Sequence, residues 1–218
     1  GYLTEAANTV GAQYVGAQPL KNGLSAGQML SNDKHGLKAV LLLNNEPEFD
    51  SAAGKLAKDA LLQAQMVVSM NPFKANMDVC DVMLPTAPFT ETSGSFVNAE
   101  GRLQSFHAVV KPLGETRPAW KVMRVLANML SVPGFEFESS VDVLKQLQGQ
   151  LADIQTAVTS SLNNLTDAKI DLSSSNVAPV TASIYQLDGI VRRAPALQAT
   201  ADAKIQTTQM AKEQEVSA

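Results

Sequence analysis

Few residues in this chain have the type and setting to do chemistry. Cys80 is its only cysteine. It lies between Val79 and Asp81 in an apolar run, with no positive neighbour to draw out a thiolate. It reads as a small buried core residue. The two histidines, His35 and His107, are far apart. His35, next to Gly36, reads as the end of a helix, and His107 as a surface or loop-bridging residue. One thiol and two distant imidazoles make neither a cluster-binding cysteine set nor a zinc site. Asp81 and Glu91 have the chemistry of an acid–base pair. No third group near them has a task, so a hydrogen-bonding role is the simpler reading. Gly94 to Arg102 has the glycines of a phosphate cradle. It lacks the Lys-Ser or Lys-Thr that should follow, and no helix opens at the second glycine. A glycine-permitted turn, with Glu100 paired to Arg102, is preferred. The doublet Arg192-Arg193 is either a solvated pair or a docking contact on a carboxylate-bearing partner, since guanidinium forks bind carboxylates in a bidentate fashion.

The bulk numbers narrow the classes. The chain has 218 residues, 45% of them hydrophobic and 17% charged, and a net charge of −4. That is one domain with an addition, or two small ones. No run of eighteen apolar residues is present, so no direct membrane span is expected, and no basic start with an apolar stretch marks a signal peptide. Lysines and arginines are scattered, which argues against nucleic acid as a partner. A single cysteine excludes an internal disulfide and fits a reducing compartment. The chain starts at Gly1 rather than Met, which is expected of a fragment of a longer protein.

The elements that must position these residues follow from pattern. Residues 1–24 are small, glycine-punctuated and loop-like. Ser25 caps a short helix that ends near Asn32. "LKAVLLL" (37–43), "QMVVSM" (65–70) and "CDVMLP" (80–85) read as buried strands, the last closed by Pro85. Between the first two, Asp50 or Ser51 caps a helix whose inner face is Ala53, Leu56, Ala60, Leu61 and Ala64. Strand, helix, strand, loop, strand is the rhythm of a parallel α/β sheet. Ligands bind such sheets beyond the carboxyl ends of the strands, where the loops 44–50, 71–77 and 86–95 lie. Pro118 opens a helix to Leu130 that buries Trp120, Met123, Leu126 and Leu130. An amphipathic surface helix follows over 138–160. The apolar residues of 184–197 predict an extended strap anchored by Arg192 and Arg193 on carboxylates. Beyond Thr200 the apolar pattern stops and a disordered tail is expected. The divisions are 1–135, an α/β region; 136–200, an amphipathic helix and strap; and 201–218, the tail.

"CDVMLP", "TETSGSFVNAEGRLQ" and "KPLGETRPAW" together resemble the molybdopterin oxidoreductase family. Asp81, Leu84 and Pro85 match its strand motif. Glu91, Gly94, Asn98, Glu100, Gly101, Arg102 and Gln104 match its loop, and Pro112, Gly114 and Trp120 its close. Ser95 stands for the usual Thr and Cys80 for the usual Ala. The resemblance implies an α/β fold: the parallel-sheet part of a molybdopterin-oxidoreductase-like domain with a helical and extended C-terminal tail. Cofactor-dependent members carry Thr-Glu-Thr-Ala before the strand motif; here the run is Lys74, Ala75, Asn76, Met77.

Two further stretches, "LTEAANTVGAQYVGAQP" and "IYQLDGIVRRAPALQAT", are similar to the large iron–sulfur subunits of bacterial NADH:quinone oxidoreductases, near their C-terminal end. That resemblance implies a scaffold and assembly role in the peripheral arm of a complex passing electrons from NADH through FMN and iron–sulfur clusters to quinone. It implies no cofactor in this chain, with the clusters in an N-terminal part of the parent. It implies other peripheral-arm subunits as partners and a place at the cytoplasmic face of the inner membrane. The alternative is a fragment of a molybdopterin-guanine-dinucleotide-dependent oxidoreductase such as a formate-dehydrogenase-like subunit.

Overall fold

The computed structural model describes residues 6–31, 36–151, 156 and 183–216. Two compact units interleave along the chain. The first takes residues 1–25, 41–44 and 66–168, and the second takes 26–40, 45–65 and 169–218. They do not follow the expected divisions at 135 and 200, because the chain crosses between units within the first seventy residues.

The first unit carries the sheet. Strands β1 (Ala39–Leu43), β2 (Met66–Asn71) and β3 (Val82–Pro85) lie in the order β1-β2-β3. β2 and β3 are parallel, with Val68 opposite Val82 and Asn71 opposite Pro85. Val67 and Met70 are among the most buried side chains of the protein, as a run of apolar residues in a parallel strand requires. A second sheet is the antiparallel hairpin β4 (Gly94–Val97) and β5 (Leu103–Phe106). Gly94 thus lies in a strand, not in the loop in which the sequence places it. Helices α5 (Ala119–Met129) and α6 (Ser140–Gln150) also belong to this unit.

Residues 1–24 are not all loop. Helix α1 (Thr9–Tyr14) forms there, and Asn8 before it accepts a hydrogen bond from Val97 N at 2.8 Å. Gly11 is buried, and a Cβ on it would sit 2.1 Å from Asn8 Oδ1. Glycine at 11 is what lets Asn8 turn toward the hairpin. In α5, Pro118 is the N-cap rather than a helical residue. Trp120, Met123 and Leu126 are half-buried, whereas the expected core residue Leu130 is the exposed C-cap. The most enclosed residue of that helix is Ala127. Helix α6 opens on a reciprocal cap: Ser139 Oγ accepts from Asp142 N, and Asp142 Oδ2 accepts from Ser139 N.

The second unit is helical. It holds α2 (Ala26–Met29), α3 (Pro47–Asp50), α4 (Leu56–Leu62), α7 (Gly189–Arg192), α8 (Pro195–Gln198) and α9 (Ala201–Val216). The helix expected from residue 51 starts five residues later. Gly54 has φ +54°, a left-handed conformation that interrupts a right-handed helix. Asp50 does not cap α4. Its carboxylate turns back and accepts from Glu46 N at 2.7 Å, closing α3. With the start displaced, Ala57 and Leu61 face inward and Leu56 is half-exposed. The strap is not extended. Asp188 accepts from Ile190 N and Val191 N and starts α7, and Pro195 at the first position starts α8. Nor is the stretch beyond Thr200 without structure: α9 runs through it. Its Ala, Lys, Gln, Glu and Met residues favour helix without an apolar stripe.

Candidate functional site

The carboxyl edge of the three-stranded sheet is where an α/β fold places chemistry. Asn44 ends β1 with φ +49°, a conformation Asn tolerates better than most residues. Its N–H donates to Met70 O at 2.8 Å, and its Oδ1 accepts from Thr86 Oγ1 at 3.2 Å. Thr86 is fully buried, and its N–H donates to Asn71 O. Asn71 Oδ1 accepts from Phe73 N at 2.9 Å. Asn76, at φ +61°, donates through Nδ2 to Ser69 Oγ at 3.2 Å. The amides and hydroxyls of this edge therefore bond to one another. Of the run 74–77, Ala75 is buried, while Lys74 and Met77 are exposed.

The matched motif residues hold backbone. Asp81 Oδ2 accepts from Val67 N at 2.7 Å, and Asp81 N donates to Val67 O at 2.8 Å. This double link sets the register in which β3 enters the sheet. Pro85 closes β3, and its carbonyl accepts from Arg117 N at 3.5 Å. Glu91 Oε2 accepts from Leu113 N at 3.0 Å, tying the start of the hairpin to the segment after it. Asp81 and Glu91 thus serve separate backbone partners, in keeping with the hydrogen-bonding reading.

The hairpin turn is organised by Asn98. Its Oδ1 accepts from Glu100 N at 3.0 Å and from Arg102 N at 2.9 Å. Its carbonyl accepts from Gly101 N. Gly101 has φ +78°, where a side chain is strained. The backbone N–H groups of Glu100, Gly101 and Arg102 are thereby turned onto Asn98 rather than outward as a phosphate cradle requires. Gln104 pairs with Phe96 across the hairpin. A Cβ on Gly94 would lie 2.7 Å from the Phe106 ring, so glycine at 94 lets that ring cross the strand, where it meets Phe96 edge-on at 5.2 Å. Trp120 projects from the first turn of α5, and Lys121 Nζ lies 5.5 Å from its ring centre.

Arg192 and Arg193 meet carboxylates of their own chain. Arg193 holds Glu46 with both terminal nitrogens, at 2.8 and 2.9 Å. Arg192 donates to Glu46 at 3.1 Å, to Asp50 at 3.0 Å and to Gln186 O at 2.6 Å. Its guanidinium lies over the Phe49 ring at 4.8 Å. The Arg192 side chain is 6% exposed and that of Glu46 is 9% exposed. Burial pushes the Glu46 carboxyl up. Hydrogen bonds from Arg193 and Arg192, with their charges, outweigh it and hold the group below the ordinary carboxylate range. The bond to Glu46 raises Arg193 above its ordinary value against the opposing effect of burial. Sequence reasoning named the arginines and missed Glu46 and Asp50, which lie more than 140 residues earlier. The only local signal was the acidic turn "EPEFD".

Cys80 is half-buried and His107 exposed; His35 lies outside the described residues. Among the described residues no group of three or more His, Cys, Asp and Glu side chains could hold a metal ion, and no helix is long and apolar enough to cross a membrane.

Comparison with known proteins shows the family. Residues 1–129, more than half of the chain, match the molybdopterin oxidoreductase family. Over 82 residues the chain is 35% identical to a probable oxidoreductase, YjgC, of Bacillus subtilis (strain 168), covering 38% of this chain and 8% of the relative. Over 57 residues it is 44% identical to a putative formate dehydrogenase of Staphylococcus aureus (strain bovine RF122 / ET3-1), covering 26% of this chain and 6% of the relative. A putative formate dehydrogenase of Staphylococcus aureus (strain MRSA252) is 45% identical over 51 residues, covering 23% of this chain and 5% of the relative. The chain therefore spans under a tenth of the length of each of these relatives, and by the match over residues 1–129 it belongs to the molybdopterin oxidoreductase family.

Proposed function

We propose that this chain is a scaffold portion of the large subunit of an oxidoreductase of the NADH:quinone type, shaping the subunit rather than carrying electrons. The observation that supports this reading is the sheet edge. Asn44 is bonded to Thr86, Asn76 to Ser69 and Asn71 to Phe73 N. A pterin–dinucleotide cofactor needs donors and acceptors aimed outward from such an edge. In this reading these side chains, spent on one another and on backbone, do not present that outward-facing set. The motif side chains Asp81, Glu91 and Asn98 also spend their oxygens on backbone N–H groups. In this reading the iron–sulfur clusters belong to another part of the parent, and the partners are other subunits of its peripheral arm.

A second reading is a portion of a formate-dehydrogenase-like, molybdopterin-dependent enzyme. The names of the curated relatives favour it over the first. Purification of the full-length parent separates the two. Absence of molybdenum and pterin, with NADH-dependent quinone reduction by the assembled complex, supports the first. Stoichiometric molybdenum with formate-dependent reduction of an artificial acceptor replaces it with the second. The isolated chain is expected to contain neither iron nor molybdenum by elemental analysis and to leave NADH unoxidised; one metal atom per chain, retained through gel filtration, overturns the scaffold reading.

A further inference from the structure

Two cavities of the first unit meet at Trp120. One is apolar, about 220 Å³, with walls from Phe106, Trp120, Val141, Leu144 and Leu147. An apolar cavity of about 150 Å³ accepts benzene, so this one has room for a single ring or a short branched alkyl group. The other is open, with Lys111, Arg117 and Lys121 on its walls and Glu91 and Glu138 among them. Ser93, Trp120 and Ser140 line both. One face of the assembly is therefore greasy and the adjoining one cationic, with the indole between them.

We infer that this pair of cavities binds a small amphipathic anion: a ring or short alkyl group in the apolar half, and a phosphate, sulfonate or carboxylate beside Lys111 and Lys121. The charge balance supports the sign. The walls carry three cations, Lys111, Arg117 and Lys121, against two carboxylates, Glu91 and Glu138. Arg117 is engaged by Glu115 and by the carbonyls of Gly114 and Thr116, which leaves the two lysines to meet a ligand. The lysines are flexible and able to reach an anion as point charges. An aromatic ring beside an ammonium, as Trp120 is beside Lys121, also suits a ligand with a flat apolar part. The serine hydroxyls at the shared rim are further donors for the anionic end. This inference is separate from the proposed scaffold role, because its ligand contacts Lys111, Trp120 and Lys121 are none of the side chains on which that role rests.

Trp120 is the only tryptophan of the chain, so its emission reports on the site directly. The experiment titrates the whole chain with phenyl phosphate, inorganic phosphate and benzylamine at constant ionic strength. Phenyl phosphate is expected to change Trp120 emission saturably, with at least fivefold tighter binding than either of the others. In the double variant Lys111→Gln, Lys121→Gln, with its fold checked by circular dichroism, the advantage of phenyl phosphate over benzylamine should fall at least fivefold. Equal binding of phenyl phosphate and inorganic phosphate overturns the apolar half, and equal binding of phenyl phosphate and benzylamine overturns the cationic half. A linear, unsaturable response to phenyl phosphate overturns the site as a whole. These three outcomes are read on the unmodified chain and do not depend on the variant folding.

Discussion

Replacing Glu46 with Gln removes the one carboxylate that both arginines share. Arg193 loses two charge-assisted hydrogen bonds at 2.8 and 2.9 Å, and Arg192 loses one at 3.1 Å. Hydrogen bonds to charged groups contribute roughly 1.5–3 kcal/mol each when shielded. Arg193 is 34% exposed and regains water, so its share shrinks to about 1 kcal/mol. Arg192 is 6% exposed and cannot rehydrate without leaving its place over Phe49. It keeps Asp50 and Gln186 O, so it loses about one bond rather than its whole environment. Together the substitution should cost about 2–4 kcal/mol, near the lower end of the range for breaking a buried pair. For a chain of this size that lowers Tm by roughly 5–15 °C. Trypsin should also cut faster after Arg192 and Arg193. A double-mutant cycle with Arg193→Met should return a coupling of about 1–3 kcal/mol. The pH dependence carries the same signature. The Glu46 carboxyl is depressed in the folded state, so its contribution is present above the unfolded pKa and fades as pH falls through the lower folded value. A melt shifted by less than about 0.5 kcal/mol, with unchanged tryptic cleavage and a flat acid limb relative to the parent chain, would refute the view that this cluster holds α7 to α3.

Three further outcomes follow from particular contacts. Gly101→Val places a β-branched residue at φ +78° and should cost about 1–2 kcal/mol or more in thermal unfolding; an unchanged melt means the turn relaxes. Gly94→Ala drives a methyl into the Phe106 ring and should cost about 1–3 kcal/mol, much of it recovered in the Phe106→Leu background; equal losses in both backgrounds argue against the ring contact as the cause. Hydrogen bonds from the Ser139 side chain and backbone hold the Asp142 carboxyl below its ordinary value. Its cap should therefore persist above the unfolded pKa and be lost as pH falls through the folded one, and an NMR titration of Asp142 at an ordinary aspartate value removes that claim.

Much of this protein was legible in order of residues. The apolar runs at 37–43, 65–70 and 80–85 lie within two residues of β1, β2 and β3, because a short continuous apolar run bounded by turn residues marks a strand without tertiary knowledge; only β2 is buried along most of its length, whereas Leu41, Leu43 and Val82 are exposed. The helix expected from 138 begins at Ser140, where a local cap of Ser139 and Asp142 opens α6. The Gly101 turn is likewise written in its own sequence. What only the tertiary structure decided is where side chains separated by long stretches of chain meet. Nothing near Asn8 announces that it will accept from Val97 N, and nothing near Gly94 announces the Phe106 ring. The sequence could leave Arg192 and Arg193 only between solvent and a carboxylate partner, since a charge declares its sign but not its counter-ion. The fold brings Glu46 and Asp50 to them across more than 140 residues, and burial then converts two ordinary surface charges into a shared, water-poor cluster whose strength depends on that enclosure.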